Sequence, residues 1–143
     1  MNKPNKIILH HSATEDGPTV SWGAIRRYHV VECCWGAIGY HFGIELVGDY
    51  YEVLVGRLPY EQGAHTQGQN SQSIGICFVG SFDNKPVPPD QWKQGLWLCR
   101  YLISEFQINP KEIYGHRTFA NKTCPGKMFD VELFKQQIYG QRR

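Results

Sequence analysis

No apolar run in the 143 residues approaches the ~20 needed to cross a bilayer. The first one, Ile7-Ile8-Leu9, stops at His10, far short of the apolar core of a secretory signal. The chain is therefore expected to start out in the cytoplasm, with no membrane span. Basic tracts are missing as well: 15 Lys and Arg stand against 13 Asp and Glu, a net charge of +2, and Arg142-Arg143 is as long as any basic run gets. That pattern lacks the electrostatic footprint of a nucleic-acid binder, so nucleic acid is not expected as a partner. A mild positive bias does suit an anionic substrate. Five cysteines are an odd number in a chain without an export signal, which argues against a closed disulfide framework. Neither Cys-x-x-Cys nor His-Glu-x-x-His occurs, so the short zinc signatures are absent. With no internal repeat or low-complexity tract and 41% hydrophobic residues, the chain reads as one domain, residues 1–143. Such a length buries roughly two thirds of the unfolded surface.

What is present alternates between strand and helix patterns. Ile7 to Leu9 reads as a buried strand whose C-terminal end opens into a site at His10-His11. Ser21 can cap a helix from Trp22 to about Val31, with Trp22, Ile25 and His29 at helical spacing. Tyr40 to Val47 and Tyr50 to Val55 flank Gly48-Asp49 as a hairpin, with Tyr40 opening its first strand. Gly56 to Gln72 has no period, and a loop of that length in a compact domain is usually a functional wall. Ser73 to Ser81 is a continuous apolar strand suited to a central position. Pro88-Pro89-Asp90 starts the strongest helix, with Trp92, Leu96, Cys99, Leu102 or Ile103, and Phe106 on one face. Ile113-Tyr114 is a short extended piece, and Asp130 caps a last helix through Val131, Phe134 and Ile138. The expected fold class is α/β, a central mixed sheet flanked by helices.

One segment concentrates chemistry. Gly115-His116-Arg117-Thr118-Phe119-Ala120-Asn121-Lys122-Thr123-Cys124-Pro125-Gly126 places an imidazole, an ammonium and a thiol within nine residues. Catalytic zinc takes three protein ligands and leaves a position for water, and His10, His116 and Cys124 would suffice. Six histidines and five cysteines can be grouped in many other threes, so the residue types alone leave the ligand set open. Cys77 and Cys99 sit in apolar periodicities and read as core thiols. Cys33-Cys34 has no chelating spacing.

Ile7-Ile8-Leu9-His10-His11-Ser12-Ala13-Thr14, Gly39-Tyr40-His41-Phe42, Gly63-Ala64-His65, Asn70 with Ser73-Ile74-Gly75-Ile76, Phe78-Val79-Gly80 and the His116 to Gly126 segment share a fixed order. In that order the chain resembles the zinc-dependent N-acetylmuramoyl-L-alanine amidases, a family that includes amidase-type phage lysozymes and peptidoglycan recognition proteins. The resemblance runs from about Lys6 to Phe129.

It implies one Zn2+ per chain held by His10, His116 and Cys124, with Tyr40 and Lys122 as auxiliary catalytic residues. Zinc would lower the pKa of its water and polarise the amide carbonyl. Lys122 would stabilise the oxyanion, and Tyr40 would position first and transfer protons second. His65 is expected to contact substrate in the groove, whereas His11, His29 and His41 read as structural. The implied function is endolysin-like hydrolysis of the amide between N-acetylmuramic acid and L-alanine, on the cell wall after release. A cytoplasmic muropeptide-recycling amidase and a non-catalytic peptidoglycan-binding module are the alternatives. The expected partner is peptidoglycan or muropeptide, met by a monomer; a regulatory protein partner stays open.

Overall fold

Ile7, Ile8 and Leu9 are fully buried at the middle of β1 (Lys6–His11) in the computed structural model, which describes residues 3–14, 22–33 and 35–140. β1 pairs in parallel with β4 (Ser73–Phe78) on one side and β5 (Ile113–Gly115) on the other. β4 also pairs in parallel with β2 (Phe42–Val47), and β2 pairs antiparallel with β3 (Tyr50–Val55). The result is a mixed five-stranded sheet of order β3-β2-β4-β1-β5. Every residue of β4 is buried, as its continuous apolar pattern and central place require. The strand ends at Phe78, three residues before the expected Ser81.

Helices cover both faces. On one face α2 (Pro89–Phe106) and α3 (Val131–Gly140) seal the main core. Leu96, Cys99 and Leu102 are buried there, while Trp92, Ile103 and Phe106 pack against its edge. Pro89 fits the first turn of α2, where its missing N–H has no helical acceptor to lose. Phe78 meets Phe129 edge to face at 5.0 Å and Phe134 at 6.1 Å, and Trp92 Nε1 donates to Gln137 Oε1 at 2.6 Å. Gly95 makes this contact possible: a Cβ there would lie 2.4 Å from the Phe78 ring.

The opposite face carries a smaller cluster of Trp22, Ile38 and Cys77, with Ile25, Tyr40 and Leu54 around it. α1 (Trp22–Arg27) is α-helical only to Arg27 and continues as a π-helical turn over Tyr28–Glu32, where a plain α-helix to Val31 was expected. The wider turn closes with Cys33 N–H donating to the Tyr28 carbonyl at 3.0 Å. It seats His29 as a buried acceptor for Gly39 N–H at 2.9 Å, a contact with the following loop that local periodicity does not encode. The expected Ser21 cap lies outside the described residues, as does Cys34. The buried Glu45 carboxylate accepts the Trp22 N–H at 2.8 Å.

The Gly48-Asp49 turn joins β2 and β3 as expected, with Gly48 at φ +65. Tyr40 does not open β2, which begins at Phe42. The backbone around His41 is held instead by His41 N–H donating to Gly75 O at 3.0 Å and Gly56 N–H donating to His41 O at 2.8 Å. Tyr40 is thereby free to turn toward β1. Cys77 and Cys99 are fully buried free thiols. Among the described residues no helix is long and apolar enough to cross a membrane.

Candidate active site

Parallel pairing of Leu9 with Gly115 brings the C-terminal ends of β1 and β5 side by side. The next residue along each strand's course is a histidine, His10 within β1 and His116 just past β5, so the two emerge next to each other, ring centroids 4.6 Å apart. The chain then runs through a turn of 3-10 helix (His116–Thr118) and loops back, with Arg117 N–H donating to the Cys124 carbonyl at 2.8 Å. That return places the Cys124 thiol 3.7 Å from His10 Nδ1. Donor atoms of His10, His116 and Cys124 all lie within 4.8 Å of one another. Zinc bonded at 2.0–2.1 Å to nitrogen and 2.3 Å to sulfur in a tetrahedron needs an N···S separation of ~3.6 Å. Two imidazoles and a thiol at this spacing fit that ion in both chemistry and size.

The thiol loop is held from several sides. Arg117 directs its guanidinium inward, Nη1 donating to Gly126 O at 2.7 Å and Nη2 to Phe129 O at 2.9 Å. Lys127 N–H donates to Asp83 Oδ1 at 3.0 Å and Met128 N–H to Phe82 O at 2.8 Å, tying the loop to the segment after β4. Gly126 sits at φ +120 with Phe82 O only 2.5 Å from where its Cβ would be, so the loop's approach needs glycine. The Cys124-Pro125 peptide is cis. His11 N–H reaches Cys124 Sγ at 3.4 Å, a bond that favours thiolate.

An open cavity of about 340 Å3 surrounds these donors, lined also by Tyr40, Lys122, His65 and Asp83. Burial, then the neighbouring His65, His116, His11 and Lys122, holds His10 well below the usual histidine range. His116 is lowered by burial and by Lys122. Both rings are therefore neutral at pH 7, the form that binds metal. Burial pushes the Cys124 thiol up to about 11, against the pull of His11 N–H, Lys122 and Arg117. A divalent cation would reverse that shift. Tyr40 has its ring 5.1 Å from that of His10, and burial beside Cys77 and Cys124 raises its phenol well above the usual value. Its hydroxyl therefore keeps its proton, with the Cys77 side chain as its hydrogen-bond neighbour. Lys122 is exposed at the rim.

His65 reaches the same cavity but is buried, with Nδ1 3.0 Å from His10 Nε2 and Nε2 3.3 Å from Ser73 Oγ. Both ring nitrogens thus face protein groups. His11 points away from His10 and accepts the Phe82 N–H at Nδ1, 3.1 Å. His41 accepts the Gly75 N–H at 3.0 Å and faces Glu61 O at 2.8 Å. These two and His29 each have a backbone partner, as structural histidines do. Sequence reasoning did not single out Asp83, Thr66 or Ser73. The Asp and Thr carried no spacing signal, and Ser73 lay inside a strand pattern where only its apolar neighbours are read. The Arg117 guanidinium, within the same segment, is taken up by the chain's own loop.

Comparison with known proteins gives these features a context. The family described as N-acetylmuramoyl-L-alanine amidase matches residues 1–127. Peptidoglycan-recognition protein SC2 of Drosophila melanogaster is 34% identical over 125 residues, covering 83% of this chain and 66% of the relative. The chain thus spans just under two thirds of that relative. The endolysin of Klebsiella phage KP32 is 33% identical over 131 residues, covering 90% of this chain and 83% of the phage protein. Among solved structures, the endolysin N-acetylmuramoyl-L-alanine amidase LysCS from Clostridium intestinale URNW superposes with a TM-score of 0.84 at 29% identity, over 96% of this chain and 85% of that one.

Proposed function

Since the chain belongs to the N-acetylmuramoyl-L-alanine amidase family, we propose that it hydrolyses the amide joining the lactyl group of N-acetylmuramic acid to L-alanine in peptidoglycan, as a wall-lytic, endolysin-like enzyme. The observation that carries this reading is the gathering of His10, His116 and Cys124 in the wall of a cavity that also holds Tyr40 and Lys122. A binding module has no need of such a donor set. Likeness to a phage endolysin over 83% of its length supports the lytic role over recycling of soluble fragments.

His10, His116 and Cys124 would hold one Zn2+, whose chemistry is to make water nucleophilic near neutral pH and to polarise a carbonyl. The reaction adds water across the amide: oxygen joins the carbonyl carbon, the C–N bond breaks, and the L-alanine nitrogen leaves protonated. Lys122 supplies fixed positive charge at the cavity rim, where the carbonyl oxygen turns negative. Tyr40, protonated, donates a hydrogen bond toward the reacting centre. Arg117 and Asp83 hold the Cys124 loop, and the open cavity admits a glycopeptide chain rather than enclosing a small molecule.

Digestion of purified sacculi, followed by mass analysis, tests the proposal. The expected products are intact glycan strands and stem peptides with a free L-alanine amino group, formed without chelator and abolished by it. Cleavage of a glycosidic or peptide cross-link bond, or none at all, would overturn it.

A further inference from the structure

The His10 ring can bind metal through Nδ1 only if its proton sits on Nε2. Neutral imidazole carries one proton, and its neighbours decide where. Behind His10 a chain of hydrogen bonds runs away from the cavity and ends on a backbone carbonyl. Ser73 Oγ donates to Gln69 O at 2.7 Å, a group that can only accept. The serine oxygen is then an acceptor for His65 Nε2 at 3.3 Å, which must carry the His65 proton. His65 Nδ1 is left bare and accepts from His10 Nε2–H at 3.0 Å. Thr66 Oγ1, 3.3 Å from His10 Nε2 and beside His65 Nδ1 at 3.0 Å, fits the same direction as the acceptor of a second, longer arm of the His10 Nε2–H bond. His10 Nδ1 is thereby left bare, and it is the nitrogen that faces Cys124 Sγ at 3.7 Å.

The His65 ring has little room to move. A Cβ on Gly75 would lie 2.5 Å from His65 Cγ, and one on Gly63 2.5 Å from His65 Cδ2, so two glycines leave the slot that the imidazole fills. Asn70 Oδ1 accepts the N–H groups of both His65 and Thr66 at 2.8 Å, fixing the loop that carries them. His41 stands edge-on to His65 at 5.6 Å and is itself bonded to Gly75 N–H. The serine, the two glycines, the asparagine and both ring nitrogens of His65 are satisfied by one arrangement.

We propose that His65, anchored by Ser73, is a positioning residue that sets the tautomer and angle of His10 for metal, rather than a substrate contact. The inference rests on the metal-site reading above. Outer partners of metal-bound histidines commonly change metal affinity about 10- to 100-fold when removed.

The test uses the full chain, stripped and reloaded with Zn2+, with affinity measured by competition against a chromophoric chelator. His65→Leu removes the acceptor and should weaken zinc roughly 10- to 100-fold. His65→Gln restores an acceptor oxygen and should recover most of that loss. Nitrogen-15 NMR of the stripped wild type should show His10 and His65 both protonated at Nε2, and Ser73→Ala should mix the His65 tautomers. If His65→Leu keeps its circular dichroism and binds zinc as tightly as wild type, or if His10 is protonated at Nδ1, the positioning role is wrong. Should His65→Leu fail to fold, His65→Gln, Ser73→Ala and the NMR signals still decide. A wild type that binds no zinc defeats the metal reading instead, while the tautomers still report on the relay.

Discussion

Acid should destabilise the metal-free protein well above the range where carboxylates titrate. All six histidines are shifted below their usual pKa, and burial is the largest cause for each. The sign follows from proton counting. Below pH 6.5 the unfolded chain takes up protons that the folded chain refuses, so unfolding gains and stability falls as pH falls. His65 is lowered to about 3 and is 9% exposed. Between pH 7.5 and pH 5 its contribution drops by about 2 kcal/mol, a ceiling set at pH 5 by the unfolded-state pKa. His10, 1% exposed and held well below the usual range mainly by burial, changes stability in the same direction. The His65 share of about 2 kcal/mol is by itself a large part of the 5–15 kcal/mol that typical domains possess. Above pH 7.5 neither group should contribute a slope. Urea unfolding of chelator-treated protein, followed by tryptophan fluorescence across this range, measures the effect, and His65→Gln should remove about 2 kcal/mol of it. A flat profile from pH 7.5 to 5, or a rise toward acid, would refute the claim that these imidazoles are buried neutral.

Tyr40→Phe and Lys122→Ala should each lower turnover by roughly 10- to 1000-fold while zinc content stays at the wild-type level; full activity in both variants would confine the chemistry to metal and water. Gly75→Ala adds a methyl 2.5 Å from His65 Cγ and should weaken zinc binding although Gly75 touches no ligand to the ion; chelator competition reads it, and unchanged affinity would mean the slot is looser than it looks. Gly95→Ala drives a Cβ to 2.4 Å from the Phe78 ring and should lower stability by about 1–3 kcal/mol, with zinc affinity untouched. Chemical denaturation checks that, and a neutral result would show that α2 can shift.

Much of the architecture was legible because burial on both faces writes itself into composition. Ile74 to Phe78 carries no polar side chain but a thiol since it is central, and the α2 stripe follows the helical period because one side packs on the sheet. The metal donors were nameable, yet only pairing explains why they meet: the Leu9–Gly115 register adds His116 to His10, and nothing local in either segment states that register. His65 shows the limit from the other side. Its motif places it near the site, but whether its nitrogens face substrate or protein depends on Ser73 and Gln69, joined to it through loop geometry. The π-helical turn was invisible for a similar reason, since its closure depends on His29 finding Gly39. Tyr40 was placed on a strand because aromatic residues favour strands, whereas the backbone pairing of His41 with Gly75 and Gly56 carries the chain past it.

Metal content and affinity of the purified chain test the central claim most directly. Wild type should bind one Zn2+ per chain, and His10→Ala, His116→Ala and Cys124→Ser should each lose most of it while far-ultraviolet circular dichroism stays unchanged. Stoichiometric zinc in the Cys124→Ser protein at wild-type affinity, or none in the wild type, would contradict the account.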